Sequence, residues 1–241
     1  NNCIVQTMAS IKDMPKSAPE ALYELGKSNI KNRAALYQAL MGDPRINKKA
    51  IEILFHLGYF NKFAQPNRLI TEYEIYQKYI SVKVLTKSSF DDIMIDVIRP
   101  CCGKETEKQF REINNKALIT ALIRQANIKP TTIVDRIKWQ LEYLGYCTVN
   151  DPNSDPNDWL VLDVKTTGYG TVYCTLYNLC YGAERTYRAN KKFWTNHQLS
   201  KGDVIRAVLQ EKNKMKKDEN GEWITLSETY QEMKVWKKLE V

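Results

Sequence analysis

The chain has 241 residues, 43% of them hydrophobic, and a net charge of +8 at neutral pH. That is enough apolar material for one large domain or for two to three small ones. The sequence contains no run of 18 apolar residues, so we expect no membrane-spanning helix, and we find no signal-peptide pattern in it. It begins without an initiator methionine, and we interpret it as a fragment of a longer protein.

The positive charge lies mainly at the two ends of the chain. Residues 1–65 carry 9 basic and 5 acidic side chains, residues 66–156 carry 13 and 12, and residues 157–241 carry 14 and 11. An excess of cations favours a polyanionic partner such as a nucleic acid. The distribution indicates two binding modules joined by a structural one.

The cysteine and histidine pattern argues against a zinc site. None of the six cysteines stands in a CxxC motif, and His56 and His197 are far apart in sequence. We therefore expect reduced thiols, no metal or other cofactor in this chain, and a cytoplasmic protein. The cysteines are Cys3, Cys101, Cys102, Cys147, Cys174 and Cys180.

Residues 1–65 have a helical pattern, which is clearest in "NKKAIEILFHLGYFNKF" (residues 47–63). Asn47 can cap a helix, because its side-chain oxygen accepts one of the unpaired N–H groups of the first turn. Gly58 can adopt the left-handed conformation that ends the helix, after which Tyr59 and Phe60 fold back. We expect a buried stripe at helical spacing, made of Ala50, Ile51, Leu54 and Leu57.

Residues 66–150 are also predicted to be helical and to form a connector. In "KPTTIVDRIKWQLEYLGY", Thr131 or Thr132 is the expected cap, and Gly145 is the expected end of the helix. Isoleucines and leucines between them recur at helical spacing. The connector is therefore predicted to pack one face of this helix into a core.

The stretch "NDPNSDPND" (residues 150–158) consists of turn-forming residues and is predicted to be a domain boundary. After it the hydrophobic period changes from 3.6 to 2, which is typical of strands. Five strand-like segments with an insertion after the third predict a five-stranded OB-fold β-barrel over residues 157–241, with an SH3-like barrel as the alternative. The strands are "WLVLDVKTT", "TVYCTLYNL", "ERTYRA", "DVIRAVLQE" and "ETYQEMKVWKKLEV", and the insertion is "NKKFWTNHQL".

One face of the second predicted strand is expected to bind bases. Every second residue from Val172 to Leu176 is expected in the core, so Tyr173 and Tyr177 point outward, where rings can stack on single-stranded bases. The alternative is that tyrosines simply favour strands and that a lysine-rich hairpin aids solubility. Further expected binding residues are Arg185, Tyr187, Arg188, Lys191 and Lys192, with Lys212, Lys214, Lys216 and Lys217 in the loop between strands 4 and 5. Trp159, Trp223 and Trp236 are expected in the core or at the barrel ends.

Several stretches resemble the C-terminal region of bacterial DNA polymerase III alpha subunits, the C-family replicative DNA polymerases. "ASIKDMPKSAPEALYEL" (residues 9–25) and "NKKAIEILFHLGYF" (residues 47–60) are similar to the tandem helix-hairpin-helix region of that family. "QLEYLGYCTVNDPN" (residues 140–153) is similar to the segment that precedes its OB domain. The order of these segments along the chain also agrees.

The resemblance implies a helix-hairpin-helix module over residues 1–65 that binds duplex DNA, and an OB domain that binds the single-stranded template. In such a module, backbone N–H groups at a helix N-terminus bind phosphates without reading the sequence. The hairpin here departs from the family's Gly-hydrophobic-Gly pattern, because it reads Asp13-Met14-Pro15 and Pro15 has no N–H to donate. The implied duplex-binding residues are Lys12, Lys16, Ser17, Lys48 and Lys49, with a solvated first helical turn as the alternative for the last two.

The family's catalytic motifs are absent from this sequence. Nucleotidyl transfer needs clustered aspartates that hold two metal ions. Asp91, Asp92 and Asp96 form the local acidic cluster, but the isoleucines between them at helical spacing indicate a solvated helix face. The resemblance therefore implies a non-catalytic part of a DNA-directed DNA polymerase, a nucleotidyltransferase whose Mg²⁺ belongs to a catalytic domain outside this chain.

The resemblance also implies protein partners, namely the sliding clamp and the clamp loader. "QLEYL" (residues 140–144) is similar to a clamp-binding peptide, although its leucines are also expected to pack a helix. Two other functions stay open: an RNA- or tRNA-binding OB module, and a scaffold that docks a clamp loader or a single-strand-binding protein. The chain is thus predicted to be a multidomain α and β protein.

Overall fold

The computed structural model describes residues 8–240, so Cys3 lies outside the described residues. The chain forms two compact units. One consists of the chain up to Thr131 together with Lys138–Tyr146, and the other of Thr132–Ile137 together with the chain from Cys147 onward. Within residues 8–240, no helix is both long enough and apolar enough to cross a membrane.

Four helices that precede the barrel strands begin at an Asn or Asp cap. The side chains of Asn32, Asn47, Asp91 and Asn114 each accept a hydrogen bond from the backbone N–H three residues further on. Each bond satisfies one of the unpaired donors of the first turn and so favours a helix start at that position. The helices are α1 (Ala18–Lys27), α2 (Arg33–Gly42), α3 (Lys48–His56), α4 (Pro66–Tyr79), α5 (Asp92–Ile98), α6 (Asn115–Gln125) and α7 (Ile133–Leu144).

Helix α3 confirms three of the four residues of the stripe predicted from the sequence. Ala50, Ile51 and Leu54 are buried, whereas Leu57 is half-buried. Burial of a large aliphatic side chain stabilises a fold by about 1.5–3 kcal/mol relative to exposure. The stripe therefore anchors α3 in the core of the first unit.

The end of α3 follows the prediction in part. Gly58 adopts φ +77, and the N–H groups of Gly58 and Tyr59 donate to the carbonyls of Phe55 and Leu54, both at 3.0 Å. Phe60 packs edge-on against Phe55, with ring centroids 5.8 Å apart. Tyr59 stays 44% exposed, so only one of the two aromatics folds back onto the helix.

The structure does not support a helix-hairpin-helix module within residues 8–65. Ahead of the predicted hairpin, the described chain forms a three-residue 3-10 helix (Met8–Ser10) instead of a full helix. Asp13 adopts φ +63, a left-handed conformation that side-chain-bearing residues rarely take. The N–H of Lys12 donates to the carbonyl of Tyr143 at 3.0 Å. The turn is therefore held by contacts within the first unit.

The predicted helical connector contains a three-stranded antiparallel sheet, so the prediction of helix throughout residues 66–150 is wrong. The strand order is β1-β3-β2, and Phe110 pairs with Leu85 on one side and with Glu105 on the other. Phe110 is fully buried while the other residues of β3 are half-buried or exposed, and strands this short hardly stand out against the surrounding helices. The strands are β1 (Val84–Thr86), β2 (Cys102–Glu105) and β3 (Gln109–Ile113).

The core of the first unit contains a cluster of aromatic rings. The ring of Tyr37 on α2 lies 5.8 Å from that of Tyr73 and 5.6 Å from that of Tyr76, both on α4. Phe55 on α3 lies 5.7 Å from Tyr73. Such pairs contribute about 0.5–1.5 kcal/mol each beyond the area that they bury. The cluster thus fixes α2, α3 and α4 against one another.

The second unit contains the five strands that the sequence predicts. They pair in the order β4-β5-β6-β8-β7, and β7 also pairs with β4, which closes the ring. Neighbouring strands are antiparallel except β6 and β8, which run parallel at Arg188 and Ala189. The strands are β4 (Asp158–Thr166), β5 (Val172–Asn178), β6 (Glu184–Ala189), β7 (Val204–Lys217) and β8 (Trp223–Leu239), with the short helix α8 (Lys191–Trp194) after β6.

The interior of this barrel matches the predicted core face of β5. Val172, Cys174 and Leu176 are buried, together with Trp159 and Trp236. Burial raises the pKa of the Cys174 thiol to about 11, because the charged thiolate is poorly solvated there. These side chains therefore serve as apolar packing.

Candidate nucleic-acid interface

Two of the five residues expected to bind duplex DNA already have partners in the first unit. The Lys49 ammonium lies 3.4 Å from the Tyr143 hydroxyl oxygen, and this hydrogen bond raises the pKa of Lys49. The Ser17 hydroxyl donates to the carbonyl oxygen of Arg45 at 3.2 Å. The other three, Lys12, Lys16 and Lys48, are exposed.

Tyr177 does not point outward, so the prediction that it stacks on bases is wrong. Its side chain is 2% exposed, and its hydroxyl donates to the carbonyl oxygen of Val149 at 2.7 Å. Burial also raises the pKa of Tyr177. Burial no longer alternates along the end of β5, because the segment around Val149 covers the outer face of the strand there. Tyr177 is a structural residue.

Tyr187 also differs from its expected role as a binding residue. It is 2% exposed and packs edge-on against Trp159 inside the barrel, with ring centroids 5.5 Å apart. It pairs across the sheet with the buried Cys174, which places both on the core face. Three cations near it in sequence, Arg185, Lys191 and Lys192, are exposed.

The lysines expected in the loop between strands 4 and 5 lie on β7 instead. This strand extends to Lys217, which pairs with Trp223 on β8. The turn is therefore short: the N–H of Asp218 donates to the carbonyl of Glu222 at 2.9 Å, and Gly221 adopts φ +82. Strand pairing therefore positions these lysines beside β8, although the register of the β7–β8 pairing shifts between Asn213 and Met215, where Lys214 lies. They are Lys212, Lys214, Lys216 and Lys217.

A groove of about 880 Å³ runs over β5, β6 and the β7–β8 hairpin, and we call it the barrel groove. Tyr173 and Arg188 face each other across β5 and β6, and Lys212 faces Tyr230 across β7 and β8. Tyr173 is 38% exposed. The groove therefore combines ring faces with cations from four strands. Its lining residues are Tyr173, Arg188, Lys212, Asn213, Lys214, Met215, Trp223, Thr225 and Tyr230.

Cations lie over two of the aromatic rings at the groove. The guanidinium carbon of Arg188 is 5.2 Å from the centre of the Tyr230 ring, and the Lys217 ammonium is 5.6 Å from the centre of the Trp223 ring. Such contacts are attractive because the face of an aromatic ring carries partial negative charge. Positive charge is thus held over one face of each of these two rings.

The two lysines that line the groove are held differently. Lys212 pairs with Glu232, which is 5% exposed and also accepts a hydrogen bond from Gln210 at 2.6 Å. Burial raises the pKa of Glu232, but the bonds from Lys212 and Gln210 outweigh it, so its pKa is lowered. Lys214 forms an exposed pair with Glu228 at 2.7 Å. Exposed pairs contribute little stability, so a phosphate can replace Glu228 as the partner of Lys214.

Sequence reasoning missed two aromatic residues of the groove. Trp223 was expected in the core or at a barrel end, but it is 63% exposed. Tyr230 was not singled out. The available signal was the turn "DENG" (residues 218–221), since pairing the chain outward from it places both residues on a strand opposite the lysines. The long hairpin, rather than a long loop, creates the site.

Other predicted features lie outside the barrel groove. Asp91 caps helix α5, and Asp96 pairs with Arg99 at 2.5 Å. Among residues 8–240, no group of three or more His, Cys, Asp or Glu side chains is arranged to hold a metal ion. The predicted clamp-binding peptide, residues 140–144, lies in helix α7, and its Tyr143 is buried.

Comparisons of this chain with protein-family models, curated proteins and solved structures found no match. The resemblance to polymerase III alpha subunits therefore stays a prediction from the sequence.

Proposed function

We propose that the second unit is an OB-fold module that binds single-stranded nucleic acid in the barrel groove. Numbered within the barrel, its strands pair in the order 1-2-3-5-4, strand 1 closes on strand 4, and strands 3 and 5 run parallel. A five-stranded barrel of Greek-key type whose ligands bind over strands 2 and 3 and the 4–5 connection is the OB-fold arrangement. The groove lies over those strands.

The observation that carries the proposal is the convergence of three aromatic rings and three cations in one groove. Tyr173, Trp223 and Tyr230 offer ring faces on which bases can stack. Arg188, Lys212 and Lys214 lie beside them and can bind the phosphate backbone. Both interactions are largely independent of base identity, so we expect weak sequence preference.

We further infer that the chain is a non-catalytic part of a DNA polymerase III alpha-like replicase and holds the single-stranded template during replication. The order of motifs in the sequence and the character of the barrel groove support this inference. Duplex binding by the first unit is a separate prediction. It has less support, because the Ser17 hydroxyl and the Lys49 ammonium already have intramolecular partners.

Fluorescence anisotropy of the full chain with a labelled oligothymidylate tests the proposal. An oligonucleotide of about 15 residues lies within the site size of one OB-fold. We expect Trp223→Ala or Tyr173→Ala to weaken binding by about 1–3 kcal/mol. Tyr181→Ala is the matched control, because Tyr181 is exposed on the same unit but outside the groove.

Three results would count against the proposal in different ways. Absence of binding by the wild-type chain at low salt would favour a protein-interaction scaffold. Tighter binding of an oligouridylate of the same length would count against the replicase inference and favour an RNA-binding module. Equal affinities for wild type, Trp223→Ala and Tyr173→Ala would show that the strand binds elsewhere.

A further inference from the structure

The first unit contains a cleft of about 750 Å³ that is unrelated to the barrel groove. Helices α2, α4 and α6 and the turn after α3 bound it. Residues at helical spacing line it on each helix, as Glu72 and Tyr76 do on α4, with Ile80 directly after its end. The volume lies within the range of about 300–1,000 Å³ that is typical of small-molecule sites.

The interior of this cleft is mainly apolar. Tyr76 and Ile119 are largely buried in its wall, and Ile80, Ile123 and Phe63 are half-buried. The rings and branched side chains offer a flat or extended hydrophobic body a surface to pack against. A purely ionic ligand would leave this surface unused.

The charged residues that line the cleft are nearly all cations. Lys31, Arg33, Lys62 and Lys116 contribute four positive charges, and Glu72 is the carboxylate among the lining residues. Among the described residues, no carboxylate lies within 4.0 Å of the ammonium groups of the three lysines. The rim therefore has uncompensated positive charge.

Glu72 compensates the charge of Arg33 but not that of the three lysines, because its carboxylate is fully engaged by other partners. It is 2% exposed, and its carboxylate accepts bonds from Arg33 at 2.6 Å and from Arg68 at 2.8 Å. The Tyr37 hydroxyl donates to it at 3.1 Å. Arg33 also reaches the carbonyl oxygen of Phe63 at 3.5 Å, so its guanidinium is fixed at the edge of the cleft.

We propose that this cleft binds a small organic anion with an aromatic or aliphatic body. The body packs against Tyr76, Ile119 and Ile123, and the acidic group, a carboxylate, sulfonate or phosphate ester, is bound by Lys62, Lys116 and Lys31. The cationic rim can bind the acidic group of such a molecule while the apolar wall contacts its body. A neutral apolar compound contacts the apolar wall only.

Two fluorescent dyes that share an anilinonaphthalene body test the proposal. One is 1-anilinonaphthalene-8-sulfonate, and the other is the neutral N-phenyl-1-naphthylamine. We expect the folded full chain to bind the sulfonate more tightly. The double variant Lys62→Gln with Lys116→Gln should lower the affinity for the sulfonate roughly three- to tenfold, because charge-assisted hydrogen bonds are stronger than neutral ones. Its affinity for the neutral dye should equal that of wild type. Lys78→Gln with Lys83→Gln is the matched control, because both lysines are exposed and outside the cleft.

A blocking variant locates the bound dye. Thr120 lines the cleft but is exposed, so the indole of Thr120→Trp should fill the cleft without disturbing the core. This variant should therefore bind both dyes more weakly. Gln77→Trp on the exposed side of α4 and Trp223→Ala in the barrel groove should change neither. The proposal is overturned if both dyes bind equally well, if the two-lysine variant binds the sulfonate like wild type, or if Thr120→Trp leaves binding intact.

Discussion

Both units bring aromatic rings and cations together, but they use them differently. In the first unit, Tyr37, Phe55 and Tyr73 are buried and join three helices. In the second, Tyr173 and Trp223 are 38% and 63% exposed along one groove. Aromatic content alone therefore does not distinguish a buried packing cluster from an exposed groove. What matters is whether the rings share an exposed face with cations.

The cations differ in the same way. Lys12, Lys16 and Lys48 are exposed in the first unit, and Lys49 is engaged by Tyr143. In the barrel groove, strand pairing holds cations beside ring faces. Exposed positive charge attracts any polyanion, whereas fixed charge beside a stacking platform suits a single strand.

The largest effect is expected in the buried core of the first unit. Leu54 is fully buried, so Leu54→Ala should lower the free energy of unfolding by about 2–5 kcal/mol through lost burial and a residual cavity. Urea unfolding followed by the helical circular-dichroism signal measures it. Ile93→Ala is the control, since Ile93 is 73% exposed. An unchanged midpoint for Leu54→Ala would mean that the stripe does not support the fold.

Tyr177→Phe should separate stability from binding. Loss of the hydroxyl leaves the buried carbonyl of Val149 without this donor, which should cost about 1–3 kcal/mol of stability. Affinity for single-stranded DNA should match that of wild type, because the ring does not reach the barrel groove. Reduced affinity with unchanged stability would restore Tyr177 as a binding residue and refute its structural role.

The lysines of the barrel groove should change salt dependence rather than stacking. Lys212→Gln with Lys214→Gln should weaken oligothymidylate binding and flatten the plot of log affinity against log salt by about 0.7 for each lost phosphate contact. Tyr173→Ala should weaken binding at a nearly constant slope. Lys237→Gln, an exposed lysine of β8 outside the groove, is the control. If the lysine variant and the control variant had the same salt slope, Lys212 and Lys214 would not contact phosphates of the bound strand.

The smallest effect is expected from the acidic partner of Lys214. Glu228→Gln frees Lys214 and removes a negative charge near the phosphate path, so binding should tighten on the order of twofold at low salt. Glu184→Gln, at the exposed start of β6, should have no such effect. Weaker binding by Glu228→Gln would show that Glu228 positions Lys214 for the ligand instead of competing with it.

Local signals in the sequence predicted local structure well. The Asn47 cap, the stripe through Leu54 and the left-handed Gly58 all depend on residues within one helix, and all are observed. The five strands of the barrel follow from a period of 2 that persists over long segments. In each case the deciding interactions lie within a few residues.

The failures have different physical causes. Tyr177 is buried because the chain around Val149 covers it, which the strand pattern does not contain. Phe110 sits in a sheet whose strands have only three to five residues, too few for a clear period. Trp223 and Tyr230 join the barrel groove because pairing continues to the end of a long hairpin.

Crosslinking tests directly whether the second unit, and not the first, holds the single strand. An oligothymidylate containing 4-thiothymidine is irradiated with the full chain, and the crosslinked peptides are identified by mass spectrometry. We predict adducts on the peptides that carry Tyr173, Trp223 and Tyr230, and their loss at high salt. Adducts confined to the peptides around Lys12–Ser17 and Lys48–Lys49 would contradict the assignment of the barrel groove as the nucleic-acid interface.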